Sequence, residues 1–194
     1  MSSQKPAAAI VAGGQARRFG GRDKSRLAVQ GRSIIVRQVE VLQRVASEIF
    51  IVSTQAERYG DLGLAVHPDR LAGCGVLGAI YTALEVASAD LVLVVACDLP
   101  FLDAGLLTLI CERAAGADGA WVRTERGVEP LLACYQRAAA PRLRARIDAG
   151  LLKAADVGEV LAMIDVTAAD VARFGAPDQL LANVNTPDDY ARVQ

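Results

Sequence analysis

Residues 7–24 read AAAIVAGGQARRFGGRDK, an apolar run that passes directly into a glycine-rich basic loop. The apolar run, Ala7–Val11, predicts a buried β-strand. Two glycine pairs, at 13–14 and 20–21, enclose two arginines, and Lys24 follows soon after. Glycine lets the backbone come close to a ligand and adopt positive φ, and successive backbone N–H groups form an anion-binding concavity. The stretch therefore predicts a phosphate-binding loop after a strand, which indicates a nucleotide ligand.

The spacing within this loop excludes the two commonest phosphate-binding motifs. A Walker A loop needs Gly-Lys-Ser/Thr in direct sequence, whereas Asp23 precedes Lys24-Ser25 here. The G-x-G-x-x-G dinucleotide pattern is also absent, because five non-glycine residues follow Gly14. An ordinary glycine turn and a solvated lysine are the alternatives, but the paired glycines and clustered charge favour phosphate contacts from Lys24 and Arg18.

Composition predicts one domain over residues 1–194, with residues 1–6 as a flexible tail. Hydrophobic residues make up 53% of the chain, which argues against disorder. The net charge of −1 gives no electrostatic footprint for nucleic acid. No signal-peptide pattern opens the sequence, and no segment approaches the ~20 apolar residues of a membrane span. We therefore expect a cytoplasmic protein without nucleic-acid or membrane partners.

The four cysteines do not form a metal-binding pattern. Their wide spacing contains no C-x-x-C pair, and His67 is the single histidine. Buried thiols in a reducing compartment are the favoured interpretation. The cysteines are Cys74, Cys97, Cys111 and Cys134.

Strand and helix patterns alternate along the first half of the chain. Strands are predicted at Ala7–Val11, Glu48–Val52, Gly63–His67 and Asp90–Ala96, and helices after Ser33, from Gly75 and after Pro100. The second half adds predicted strands at Gly119–Val122, Leu131–Tyr135 and Val160–Val166, a helix at Pro141–Asp148 and a last helix from Thr186 or Pro187. The alternation predicts a three-layer α/β fold with a mostly parallel central sheet.

Two aspartates follow predicted strands of this sheet. Ligands of such sheets bind beyond the carboxyl ends of the strands, so the rule places the glycine loop, Asp69 and Asp98 on one edge. A carboxylate directly after the most apolar strand is costly to desolvate unless it meets a cation. Asp98 could cap the next helix, but beside a phosphate loop a Mg²⁺ ligand is favoured. Asp69 is a plausible nucleotide contact, with a turn-forming role after Pro68 as the alternative.

Two asparagines near the end of the chain leave their role open. Asn183 and Asn185 could each cap the helix that starts near Pro187, or supply amide oxygens to a metal ion or a second substrate. The residues alone do not decide between these roles.

Three segments resemble the molybdenum cofactor guanylyltransferases, the MobA family. They are VAGGQARRFGGRDK at 11–24, CDLP at 97–100 and NVNTPDD at 183–189, in this order along nearly the whole chain. The ending GGRDK at 20–24 is typical of the guanylyltransferase branch. The resemblance implies a Rossmann-like nucleotidyltransferase fold. It also implies transfer of GMP from GTP to the terminal phosphate of molybdopterin, with release of pyrophosphate.

The resemblance, together with the residues above, predicts roles for individual positions. Lys24 and Arg18 are the catalytic candidates, and Asp98 is the predicted ligand of a Mg²⁺ cofactor. The nucleotide-binding candidates are Val11, Ala12, Gly13, Gly14, Lys24, Ser53, Asp69 and Asp98. Asn183 and Asn185 are candidate contacts of the acceptor or of a second metal ion. Expected partners are GTP and molybdopterin, with molybdoenzymes or their chaperones as protein partners.

Two segments depart from the family pattern. Residues 75–79 read Gly-Val-Leu-Gly-Ala, so Val76 replaces a proline of fixed φ and Ala79 replaces a glycine. Residues 150–153 read Gly-Leu-Leu-Lys, where the family is richer in basic residues that would face the pterin. A related enzyme that uses CTP or a different phosphorylated acceptor is therefore the alternative. A non-catalytic nucleotide-binding protein is a further alternative, against which Lys24 and Asp98 argue.

Overall fold

The computed structural model describes residues 5–13 and 24–194, which form a central β-sheet with helices on both faces. The strands are β1 (Ala7–Val11), β2 (Ala28–Val29), β3 (Arg32–Ser33), β4 (Glu48–Val52), β5 (Ala65–His67), β6 (Leu91–Ala96), β7 (Gly119–Thr124), β8 (Gly127–Gln136) and β9 (Met163–Val166). The helices are α1 (Ile34–Val45), α2 (Gly75–Val86), α3 (Ala104–Ala114), α4 (Ala140–Asp148), α5 (Ala168–Val171), α6 (Pro177–Leu180) and α7 (Pro187–Val193). Within the described ranges, no helix has the length and apolar character needed to cross a bilayer.

The main sheet has the strand order β5-β4-β1-β6-β8-β7-β9 in the described part of the chain. Strands β5, β4, β1 and β6 pair in parallel, and β9 pairs in parallel with β7. Strand β8 runs antiparallel to both of its neighbours. The prediction of a mostly parallel α/β sheet is therefore confirmed. Strands β2 and β3 form a separate short hairpin.

Alternating side chains of β1 show why the chain folds into three layers. Ala7, Ala9 and Val11 pack into the core between the sheet and helices α2 and α4. Ala8 and Ile10 pack into the opposite core, between the sheet and helices α1 and α3. Because both faces are covered, β1 needs apolar residues at every position. The small alanines allow the helices to approach the sheet closely.

Most predicted elements are present, but some boundaries differ, and the sequence did not predict the β2–β3 hairpin or helices α5 and α6. Strand β5 begins at Ala65 rather than Gly63. Strand β8 begins at Gly127 rather than Leu131, and its register against β7 shifts between Trp121 and Val122, beside Pro130. Proline has no N–H to donate to a ladder and occurs at such irregularities. Strand β9 begins at Met163 rather than Val160, because the 3-10 helix at Ala154–Glu159 ends with the N–H groups of Val160 and Leu161 bonded to Val157 O.

Both ends of the described chain are attached to the body of the fold. Of the predicted flexible tail, residues 1–4 lie outside the described residues, whereas the carbonyls of Lys5 and Pro6 accept hydrogen bonds from Ser47. At the other end, a third apolar cluster joins the β2–β3 hairpin to α7. Its buried members are Val29, Ile34 and Val184, with Leu27, Phe101, Tyr190 and Val193 packed against them.

Candidate active site

The carboxyl ends of β1, β4, β5 and β6 form one continuous edge. The ladder continues past the strands: Ala12 N–H donates to Val52 O (2.9 Å) and Cys97 N–H donates to Val11 O (3.1 Å). Val11 and Ala12 are buried, whereas Gly13 is exposed, with no atom of the described residues within 4 Å of a Cβ built there. The chain leaves the sheet at Gly13, beside the carboxyl ends of β4 and β6. The predicted contacts Gly14 and Arg18 lie outside the described residues.

Three segments that are distant in sequence meet beside the loop after β6. Lys24 Nζ donates to Asn185 Oδ1 at 2.8 Å, across 161 positions of sequence. Val184 N–H donates to Asp98 O at 3.0 Å. Burial raises the pKa of the Asp98 carboxyl, and the positive charge of Lys24 opposes that shift. Lys24, Asp98 and Asn185 therefore form one polar cluster at the sheet edge.

The capping role considered for the two asparagines is wrong. Thr186 is the N-cap of α7, and it exchanges hydrogen bonds with Asp189 in a capping box. Asn185 N–H donates to the Asp189 carboxylate (3.1 Å), which leaves the Asn185 amide oxygen for Lys24. Asn183 is exposed. The cap therefore holds Asn185 in place and does not use its side chain.

Asp69 lies on the same edge but at a distance from this cluster. It follows β5, which is three strand spacings from β6, or roughly 14 Å. Its Oδ1 is buried without a hydrogen-bond partner among the described residues, and burial raises the pKa of the carboxyl. Thr82 Oγ1 accepts a hydrogen bond from the neighbouring Arg70 N–H at 3.0 Å. Asp69 thus lies at the other end of the edge, and one of its carboxylate oxygens has no hydrogen-bond partner among the described residues.

Ser53 lies between these two ends, after β4. It is buried, its N–H donates to His67 O at 2.9 Å, and its Oγ accepts a hydrogen bond from Gln55 N–H at 3.2 Å. The structure thus gives the Ser53 hydroxyl a turn-forming role. Its predicted nucleotide contact stays a prediction.

The amino end of α2 also follows β5 and Asp69. Gly75 has φ +56°, a conformation that favours glycine. A Cβ at Gly78 would lie 2.7 Å from the Cys74 Cβ, so the loop at 71–74 packs directly on the helix there. Of the two residues within 75–79 that depart from the family pattern, Val76 is 43% exposed and Ala79 is buried. A ligand at this end could therefore contact Val76 directly, but not Ala79.

Two neighbours of the Asp98 loop were missed by sequence reasoning. Gln38 of α1 is buried and donates to the carbonyls of Ala96 and Leu99. Its signal was a polar residue within the apolar stripe of an amphipathic helix. Burial, and then the negative charge of Asp98, raise the pKa of Glu129 on β8. The only available signal for Glu129 was the β6–β8 register, which propensity does not supply.

The donors at this edge fit a hard divalent cation. Asp98 offers a carboxylate that burial leaves in need of positive charge, and Asn185 offers an amide oxygen nearby. Mg²⁺ prefers such oxygen ligands and usually keeps several waters and substrate phosphate oxygens. Among residues 5–13 and 24–194, no group of three His, Cys, Asp or Glu side chains could hold a metal alone. A cation held by the described residues would therefore take its other ligands from water or from phosphate oxygens.

Fold and site together define an α/β nucleotidyltransferase. The chain belongs to the MobA-like NTP transferase family, whose domain model matches residues 8–162. A relative from Pelotomaculum thermopropionicum, named as a probable molybdenum cofactor guanylyltransferase, is 32% identical over 95% of this chain and 90% of the relative. The molybdenum cofactor guanylyltransferase of Shewanella halifaxensis is 30% identical over 96% of this chain and 92% of the relative.

A solved structure with the same architecture supports this assignment. The molybdopterin-guanine dinucleotide biosynthesis protein A of Archaeoglobus fulgidus has a TM-score of 0.82 and 26% sequence identity to this chain. The similarity covers 96% of both chains. The predicted Rossmann-like nucleotidyltransferase fold is therefore confirmed.

Proposed function

We propose that this chain transfers GMP from GTP to the terminal phosphate of molybdopterin and releases pyrophosphate. The observation that carries the proposal is that Lys24, Asp98 and Asn185 lie together beside the carboxyl end of β1. The names of the relatives support the choice of GTP and of a molybdopterin acceptor. A cytoplasmic location and delivery of the product to molybdoenzymes or their chaperones belong to the same proposal.

In this proposal, a bound nucleotide extends between the two ends of the edge. Asp69, Ser53 and the amino end of α2 lie on the β4–β5 side, where the base and ribose would bind. Val11, Ala12 and Gly13 lie at the centre, where the phosphates would bind, with Lys24 and Asp98 on the β6 side. The ~14 Å between the ends suits an extended nucleoside triphosphate.

Catalysis in this proposal consists of positioning and charge stabilisation. The acceptor phosphate oxygen is already anionic near neutral pH, so its attack on the α-phosphorus needs no strong general base. Lys24 would turn its ammonium from Asn185 Oδ1 to the phosphate oxygens and stabilise the departing pyrophosphate. The loop backbone would hold the triphosphate in line for the attack. Asp98 and the Asn185 oxygen would hold Mg²⁺, which when bound neutralises phosphate charge.

Pyrophosphate release tests the proposed substrate pair. The purified chain is mixed with Mg²⁺, molybdopterin and either GTP or CTP, and pyrophosphate is followed by a coupled enzyme assay. We expect acceptor-dependent release with GTP and much slower release with CTP. Faster release with CTP would instead support the cytidylyl alternative. Binding of GTP without any release would support the non-catalytic alternative.

A further inference from the structure

Gln38 forms a bridge between helix α1 and the turn that carries Asp98. Its Nε2 donates to Ala96 O at 2.7 Å and to Leu99 O at 2.9 Å. The two carbonyls belong to the residues that flank Cys97-Asp98, so one amide group joins both ends of the turn. The Gln38 side chain is 1% exposed. The orientation of the amide follows from chemistry, because only its NH₂ group can donate to two carbonyls.

Packing alone does not explain a glutamine at this position. Its neighbours on the buried stripe of α1 are Ile34, Ile35 and Leu42. Gln38 Oε1 is buried without a hydrogen-bond partner among the described residues. A buried acceptor without a partner destabilises the fold. Gln38 bears this cost while its Nε2 supplies donors to Ala96 O and Leu99 O, which an aliphatic side chain could not do. The specific contribution of Gln38 is therefore its pair of hydrogen bonds to the turn.

Other elements also bond to the turn. Cys97 N–H donates to Val11 O, and Val184 N–H donates to Asp98 O. Arg37 Nε donates to Pro100 O at 3.0 Å. Gln38 closes the turn from the core side, where its carbonyls face away from solvent. Without it, Ala96 O and Leu99 O lose this donor, and the turn gains freedom to move the Asp98 carboxylate relative to Lys24.

We propose that Gln38 is a positioning residue for Asp98. It acts through the turn at 96–99 and does not contact the substrate itself. The inference rests on the proposed function, in which Asp98 holds the divalent cation. Residues that orient a metal ligand typically change metal affinity or activity by about 10–100-fold when they are replaced.

Mn²⁺ binding in the presence of GTP, followed by electron paramagnetic resonance, tests this inference directly. Gln38→Leu removes the donor, and Gln38→Glu keeps the shape but places a carboxylate against the two carbonyls. We expect either variant that folds to bind Mn²⁺ about 10–100-fold more weakly. Leu42→Val, one turn further along the same buried face, is the matched control and should keep wild-type Mn²⁺ affinity.

Amide hydrogen exchange of the protein without nucleotide gives a second readout. The Cys97 and Val184 amides should exchange faster in the Gln38 variants than in Leu42→Val. Wild-type Mn²⁺ affinity in the Gln38 variants would overturn the inference, and so would wild-type exchange of both amides. The Asp98→Asn variant distinguishes a failure of this inference from a failure of the metal role proposed for Asp98. If it loses Mn²⁺ while the Gln38 variants do not, the inference about Gln38 alone is wrong. If Asp98→Asn binds Mn²⁺ normally, the metal role of Asp98 falls, and the inference falls with it.

Discussion

At the scale of single residues, Asp98 combines an unfavourable environment with a suitable position. Burial raises the pKa of its carboxyl, although the ammonium of Lys24 lies close enough to oppose the shift. A carboxylate in such a place destabilises the folded chain when it ionises. A divalent cation would reverse that balance, because the negative charge of the carboxylate then has a strong partner.

Replacing Asp98 by asparagine should separate activity from stability. We expect turnover to fall about 10²–10³-fold, the usual effect of removing one electrostatic contact to the transition state. The melting temperature should stay equal or rise, because a neutral amide is less costly to bury. Steady-state kinetics with saturating Mg²⁺ and thermal unfolding measure the two effects.

Asp103→Asn is the matched control for this experiment. Asp103 is the N-cap of α3 and accepts from Leu106 N–H at 2.9 Å, a role that asparagine also fills. The activity of the Asp103→Asn variant should equal that of the wild type. Normal turnover in Asp98→Asn would contradict the catalytic role of Asp98.

At the scale of elements, two capping boxes of the same chemistry differ in what lies beside them. Thr167 and Asp170 cap α5, whereas Thr186 and Asp189 cap α7 next to Asn185. The Asp189 carboxylate accepts hydrogen bonds from both Asn185 N–H and Thr186 N–H. The second box therefore holds a site residue as well as a helix.

Thr186→Ala and Thr167→Ala should have similar stability but different activity. Each loses a side-chain cap, which costs about 1 kcal/mol of folding free energy. Turnover should fall in Thr186→Ala, because Asn185 is less firmly held beside Lys24, and should be unchanged in Thr167→Ala. Urea unfolding and pyrophosphate release measure the two quantities. Equal activity in both variants would show that the α7 cap does not support the site.

Helix α2 makes close contact with the loop that precedes it at Gly78. A Cβ there would lie 2.7 Å from Cys74 Cβ and 3.3 Å from Leu71 O, so Gly78→Ala must displace the loop. We expect the free energy of unfolding to fall by about 1–3 kcal/mol. We also expect GTP to bind more weakly, as measured by calorimetry. The control is Gly116→Ala, where a Cβ meets nothing within 4 Å. Unchanged GTP affinity in Gly78→Ala would remove this end of α2 from the proposed nucleotide site.

The elements that sequence reasoning predicted well are those whose own residues specify them. The apolar run of β4 and the helical spacing of α2 needed no distant partner. The direction of β8 and its irregularity beside Pro130 depend on pairing with β6 and β7. Gln38 and Asn185 acquire their roles through contacts 58–161 positions away, so local pattern could not reveal them.

At the scale of the whole molecule, acidic groups fall into two classes by the direction of their pKa shift. Burial raises the pKa of Asp69, Asp98 and Glu129, all at the site edge. Hydrogen bonds and nearby positive charge lower the pKa of the second class, which includes Asp118 beside Arg142 and Asp189 in the α7 capping box. The second class stabilises the fold above the ordinary carboxyl pKa and loses that effect as pH falls. The first class has the opposite dependence.

This opposite dependence predicts a pH-dependent effect of Asp98→Asn in the absence of ligand. In the wild type, the stability linked to Asp98 is fully present below its ordinary pKa of 3.8 and is lost as pH rises through the raised value. Asparagine does not titrate. The melting temperature of Asp98→Asn relative to wild type should therefore increase from about pH 4 toward neutral pH. A difference that shrinks over that range would contradict the raised pKa.

The site also includes residues that lie after the segment matched by the family domain. That match ends at residue 162, whereas Val184 and Asn185 contact Asp98 and Lys24. Tyr190 Oη donates to Ala28 O at 2.7 Å and ties α7 to the hairpin next to Lys24. The last segment of the chain thus contributes residues to a site whose other residues lie at the edge of the sheet.

Following the α- and γ-phosphorus of GTP separately tests the proposed reaction most directly. GTP labelled at one or the other position is incubated with the enzyme, Mg²⁺ and molybdopterin, and the products are separated. Guanylyl transfer predicts the α-label in a pterin–guanine dinucleotide and the γ-label in pyrophosphate, with both lost in Asp98→Asn. The γ-label on the acceptor, or the α-label solely in free GMP or GDP, would contradict nucleotidyl transfer to molybdopterin.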